Sequence, residues 1–196
     1  MAVTVGVISH IIPAREMSQD RVQRLIDATS ERMLDLAVNK GLASSREGLV
    51  IRDTRPDEDL GLAPTTAGVP LAAVRSWWTG ALVAATLSRY WNALGLTPQL
   101  DTRRLVAFVG VSIPDANPTI QEVAFREGLT GSTTRAAYNL QQLYEELETI
   151  GYFSMPVIYE PNQFVFVEFW PRLAKAGGEN IVFRALTCEA RGPVVS

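Results

Sequence analysis

Apolar and polar positions alternate at two periods along this chain, and each period predicts a different element. Between Gln19 and Lys40, Val22, Leu25, Ile26, Met33, Leu36 and Ala37 recur at helical spacing, with Arg21, Arg24, Asp27, Glu31, Arg32 and Asp35 largely off that face. Ser18 stands where an N-cap is needed, and Gly41 where a helix ends. An amphipathic helix is predicted there. The β-branched stretch 2–12, closed by Pro13, predicts a strand, and Gly48 to Asp53 a second. Leu105 to Ile113 is apolar without clean alternation, which predicts a strand buried on both faces.

Other segments give weaker patterns. Residues 54–69 carry Pro56, Gly61, Pro64 and Gly68 and predict a long loop. Pro70 is placed to start a helix through Val74, Trp77, Trp78, Ala81, Leu82, Ala85, Tyr90 and Trp91, apolar almost all round and ended by Gly95 and Pro98. A turn at 114–118 precedes a short helix over 119–127. A longer helix from Ser132 or Thr133 carries Ala136, Leu140, Leu143, Tyr144, Leu147 and Ile150 on one side and stops at Gly151. Met155 to Tyr159 and Phe164 to Phe169 flank Glu160-Pro161-Asn162-Gln163 as a hairpin, and Ile181 to Cys188 makes the last strand. The expected fold is therefore α/β of the mixed α+β kind. It comprises one domain over 1–196, a mixed sheet with three to four helices, a C-terminal hairpin and last strand, and a short tail at 191–196.

Composition narrows the function. With 47% hydrophobic and 20% charged residues and a net charge of −3, the 196-residue chain is globular in proportion and lacks a large basic excess for nucleic acid. Nucleic acid is a less favoured partner. The most membrane-like stretch, Leu71 to Leu94, is interrupted by Arg75 and Arg89 and is too short between them to span a bilayer. Cys188 is the sole cysteine, so no internal disulfide forms and a cytoplasmic site of synthesis is expected.

Residues able to carry chemistry are few. His10 is the sole histidine, and no Gly-x-Ser-x-Gly elbow occurs. One histidine and one cysteine do not make an ordinary zinc site. Asp53, Asp57, Glu58 and Asp59 cluster, but without EF-hand register and with Arg52 and Arg55 beside them. Gly128-Leu129-Thr130-Gly131-Ser132-Thr133-Thr134 lacks the lysine of a phosphate loop. No catalytic, metal or cofactor residue is assigned, and no cofactor is expected. Residues 120–150 have the outline of a helix-turn-helix followed by a hairpin wing. The would-be reading helix offers Arg135 and then Glu145, Glu146 and Glu148, a poor match to phosphate.

Packing residues dominate instead. Trp77, Trp78, Trp91, Phe164, Phe166 and Trp170 are the candidate interface anchors. The leading expectation is a non-enzymatic structural subunit of a larger assembly, most concretely a virion component of capsid, connector or tail, partnered by itself or by other subunits. A winged-helix DNA-binding regulator, or a small enzyme using the acidic loop or His10, are the alternatives.

Overall fold

A computed structural model describes residues 8–54, 65–66, 69–70, 82–86, 88–91, 99–128 and 133–191. The chain runs β1 (Ile8–Ser9), β2 (Ile11–Pro13), α1 (Gln19–Asn39), β3 (Leu49–Thr54), β4 (Thr65–Thr66), β5 (Val69–Pro70), β6 (Ser88–Trp91) and β7 (Arg104–Ser112). It continues through β8 (Ile120–Glu127), β9 (Thr133–Asn139), α2 (Gln141–Glu145), β10 (Ile150–Tyr159), β11 (Phe166–Pro171) and β12 (Val182–Ala190). Short 3-10 turns occupy Ala14–Glu16 and Arg46–Gly48.

Ten of these strands build two five-stranded sheets. One has the order β1-β9-β8-β11-β6 and the other β2-β10-β7-β12-β3. Pairing is antiparallel throughout except for β1 beside β9. The sheets enclose a core of Phe108, Phe153, Tyr159 and Phe183 from the second sheet and Val123, Phe125, Tyr138 and Phe169 from the first. A second core lies on the other side of the second sheet, where Met33 and Ala37 of α1 cover Leu49, Leu105, Ala107, Ile158, Leu186 and Cys188. The layers are thus sheet, sheet and helix.

The double burial of β7 follows from its central place. Leu105, Ala107 and Val109 face α1, while Val106, Phe108 and Val111 face the other sheet. The change of face occurs at a bulge, since Phe108 opposes Ala185 and Gly110 opposes Arg184, leaving Val109 over. Gly110 is required there: a Cβ would lie 2.6 Å from the Gly151 carbonyl oxygen. The expectation of a strand buried on both sides is met.

Helix α1 also forms where periodicity placed it. Ser18 accepts a hydrogen bond from the Arg21 amide at 3.3 Å. Gly41, at φ +75°, ends it in a Schellman motif, with Gly41 N–H bonded to Val38 O and Leu42 N–H to Ala37 O, each at 2.9 Å. The strand expected at 48–53 is β3, and the last strand is β12.

Four expectations are corrected. Residues 119–127 are not helical but form β8, with Val123 and Phe125 turned inward at the two-residue period. The long helix expected to Ile150 is strand β9 followed by a single short helix, α2, because Ala136 and Tyr138 are needed as inward residues of a sheet. The expected C-terminal hairpin is absent: β10 lies in one sheet and β11 in the other, so Val157 and Tyr159 meet Val167 and Phe169 across the core. The helix expected from Pro70 to Leu94 is contradicted at both ends, since Pro70 pairs with Thr65 in β5 and Ser88–Trp91 is β6. Residues 71–81, with Trp77 and Trp78, lie outside the described residues. The fold is a sheet-rich mixture with few helices, and three to four packed helices are not matched. No helix among the described residues is long and apolar enough to cross a membrane.

Candidate interaction surface

The two sheets share one end at which chain crossings, α2 and several exposed apolar side chains collect. There, β7 finishes at Ser112, β10 begins at Ile150, and Ile113 N–H reaches Thr149 O at 2.7 Å. The chain then crosses to the other sheet, where Ile120 opens β8 opposite Pro171 of β11. Helix α2 closes this end. Leu143 packs toward Gly151, whose missing side chain leaves room for Ile11 and Leu143, and the Tyr144 hydroxyl donates to Ile120 O at 2.7 Å. Burial, together with Glu179 and Asp115 nearby, pushes the Tyr144 phenol up, so it remains a neutral donor.

A clasp of charges holds the crossing loop. Glu179 is 1% exposed and accepts from the Thr119 amide and hydroxyl and, at 3.3 Å, from the Ile120 amide. Lys175 Nζ sits 3.6 Å from Glu179 and 3.5 Å from Asp115, which in turn accepts from the Asn180 amide at 2.6 Å. Beyond β11 the chain pairs with residues 82–86: Leu82 and Lys175 exchange two backbone hydrogen bonds at 3.0 Å, and Ala85 N–H meets Pro171 O at 2.9 Å.

This bonded rim presents apolar groups to water. Leu147 is 93% exposed, Val83 60%, Leu173 53% and Trp170 40%. Between the rim and α2 lies a hollow of about 320 Å³, lined by Thr119, Gln121, Gln141, Tyr144, Glu145 and Arg172 among others. Arg172 is exposed. Its amide bonds Thr119 O at 2.7 Å, and its guanidinium meets no carboxylate among the described residues.

The residues singled out from sequence disperse. His10 is exposed at the corner where the chain passes from β1 in one sheet to β2 in the other, beside a shallow hollow shared with Ser9, Asn139 and Glu145. Cys188 is fully buried under α1, and burial pushes its thiol up to about 11. Thiol reagents at pH 8 should therefore leave the native chain unlabelled and react with one equivalent after denaturation. Fast labelling of the folded protein would contradict that burial.

Asp53 lies on β3 at the mouth of a groove of about 490 Å³, beside Ile26, Tyr152 and Arg184, where α1 leaves the sheet uncovered. Arg55, Asp57, Glu58 and Asp59 lie outside the described residues. Among the described residues no three His, Cys, Asp or Glu side chains gather as metal ligands. The glycine-rich segment 128–134 leads into strand β9 rather than a helix, and residues 129–132 lie outside the described residues. Arg135, expected on a reading helix, is on β9. It pairs with Glu127 at 3.2 Å, donates to Gln163 at 2.8 Å and lies 5.0 Å from the Tyr159 ring centre.

Of the six aromatic anchors, Trp170 is on the exposed rim. Phe164 is half-buried and bridged to Gln99, and Phe166 is 2% exposed, covered within its own chain. Trp91 is on β6 opposite Val167. Leu147, Val83, Leu173 and Arg172 were not expected at a site. Helical spacing assigned Leu147 to a core face, and nothing local marks the other three.

The class defined by these observations is a sheet–sheet–helix protein with an apolar rim at one end of its sandwich. Comparison with protein-family models finds no match to the chain, and comparison with curated proteins finds none either.

Proposed function

We propose that the chain is a non-enzymatic structural subunit of an oligomeric assembly, and that the α2 end of the sandwich is its contact face. The observation that carries this reading is the collection of Leu147, Val83, Leu173 and Trp170 at that end, four of the six large apolar side chains exposed among the described residues. Scattered exposed leucines are ordinary, whereas a grouped set with a tryptophan and an arginine that meets no carboxylate among the described residues has the composition of an interface core. No feature of the fold singles out a virion component, so the proposal stops at an assembly subunit. The winged-helix alternative has lost the two helices it needed, which are β8 and β9.

The test is solution mass by light scattering over a concentration series, on the wild type and on a Trp170→Asp, Leu173→Asp double variant. The wild type should exceed the monomer mass. The variant should fall to the monomer with its melting temperature nearly unchanged, because surface substitutions shift stability by only about 0.5 kcal/mol. A wild type that stays monomeric at every concentration overturns the reading.

A further inference from the structure

Helices α1 and α2 end in the same backbone motif, but with different residues at the left-handed position. After α1 that residue is Gly41. After α2 it is Leu147, at φ +56°, with Leu147 N–H on Tyr144 O at 3.1 Å and Glu148 N–H on Leu143 O at 2.8 Å. A left-handed backbone costs a residue with a side chain more than it costs glycine. Leu147 recovers nothing from its own chain, since it is 93% exposed. The position following it in the motif, which commonly makes an apolar contact back to the helix, is Glu148. The fold would be better served by glycine here, and strain kept at an exposed position points to a role outside folding.

The surroundings say what Leu147 meets. It projects between Glu146, paired to Arg15 at 2.5 Å, and Glu148, whose distance to Arg15 is 4.0 Å. Two carboxylates thus share one cation, and Glu148 is the more loosely held. On the same end of the sandwich, α2 lines the hollow whose cation, Arg172, has no carboxylate partner among the described residues. An apolar knob with an acidic flank thus follows directly on the helix that lines a hollow whose arginine has no carboxylate partner among the described residues. That is the self-complementary arrangement an isologous dimer contact requires.

We propose that Leu147 of one copy seats in the Arg172 hollow of a second copy of this chain, with Glu148 beside Arg172, and that the contact is reciprocal. This rests on the assembly reading above. It specifies the partner and the residues that meet.

The experiment is sedimentation equilibrium of the full chain, with thermal melts run in parallel. Leu147→Gly should raise the melting temperature by about 2 °C while weakening self-association by about tenfold or more, two effects of opposite sign. Leu147→Asn, which tolerates the left-handed backbone without an apolar knob, should show the same loss of association. Arg172→Glu should weaken association, and Arg172→Lys should retain most of it. Undiminished association in Leu147→Gly and Leu147→Asn overturns the inference, while the assembly reading stands if the Trp170, Leu173 double variant still dissociates. Loss in the Leu147 variants with none in Arg172→Glu removes the hollow as the receptor and overturns the pairing. A monomeric wild type overturns both readings.

Discussion

Phe125→Ala should destabilise the chain by about 3–5 kcal/mol, a large part of the stability of an ordinary domain. Phe125 is the ring through which the sheets meet. From β8 it contacts Phe108 at 5.0 Å, Phe153 at 5.4 Å and Phe183 at 5.8 Å, all on the opposite sheet, and Tyr138 of its own sheet at 6.0 Å. It is fully buried, and Phe108 and Tyr138 each make further ring contacts. Truncation removes transfer energy and edge-to-face contacts together. It also leaves a cavity that the bonded strands on either side cannot close. Urea unfolding should show the midpoint fall with the slope unchanged. A loss under about 1 kcal/mol would mean that the sheets repack freely and that Phe125 is not the hub.

The second large effect is expected on the outer face of the first sheet. Glu168 is 3% exposed, and Arg126 Nε lies 2.5 Å from its carboxylate. Glu168→Leu strands the buried Nε of the half-buried Arg126 and should cost about 3 kcal/mol. Replacing both partners, Arg126→Met with Glu168→Leu, should recover part of that loss, because the Arg126 guanidinium is then no longer left against an apolar side chain. The contrast lies with the outer ion pairs. Arg46 with Glu31 and Asp35 involves well-exposed side chains throughout, so each of its pairs contributes little. A double-mutant cycle reads the coupling directly. If the single variant were as stable as the double, the pair would be solvated and the argument for its burial would fail.

Both effects sit in strands that the local pattern assigned to helix or misplaced, and the reasons are physical. Residues 119–127 contain alanine, glutamate and glutamine, which favour helix, while Val123 and Phe125 carry the two-residue alternation. In isolation the two signals compete, and the sheet wins because β9 and β11 supply hydrogen-bonding partners on both sides. The turn Glu160-Pro161-Asn162-Gln163 has the residues of a tight hairpin. It leads instead from one sheet to the other, a choice made by which faces of β10 and β11 must be covered.

The candidate surface was less legible than the fold. Trp170 was singled out by its residue type and is exposed on the rim, while Phe166, of similar character and four residues earlier, is inside. Type alone does not separate them. Arg172 is one of 18 basic residues, and its lack of a carboxylate partner among the described residues is a fact about neighbours distant in the chain.

What the amino-acid order determined by itself was whatever a few neighbouring residues decide through covalent geometry. Helix α1 is set between Ser18 and Gly41 by capping, left-handed freedom and a 3.6-residue apolar stripe. Strand β7 declares its double burial because every position in it is apolar or glycine from Leu105 to Val111. What only the tertiary structure decided was which strand pairs with which, which aromatic is covered, and that the end carrying α2 leaves Leu147, Val83, Leu173 and Trp170 in water. Exposure is set by what the rest of the chain covers, and that depends on how the two five-stranded sheets and α1 close over their two cores.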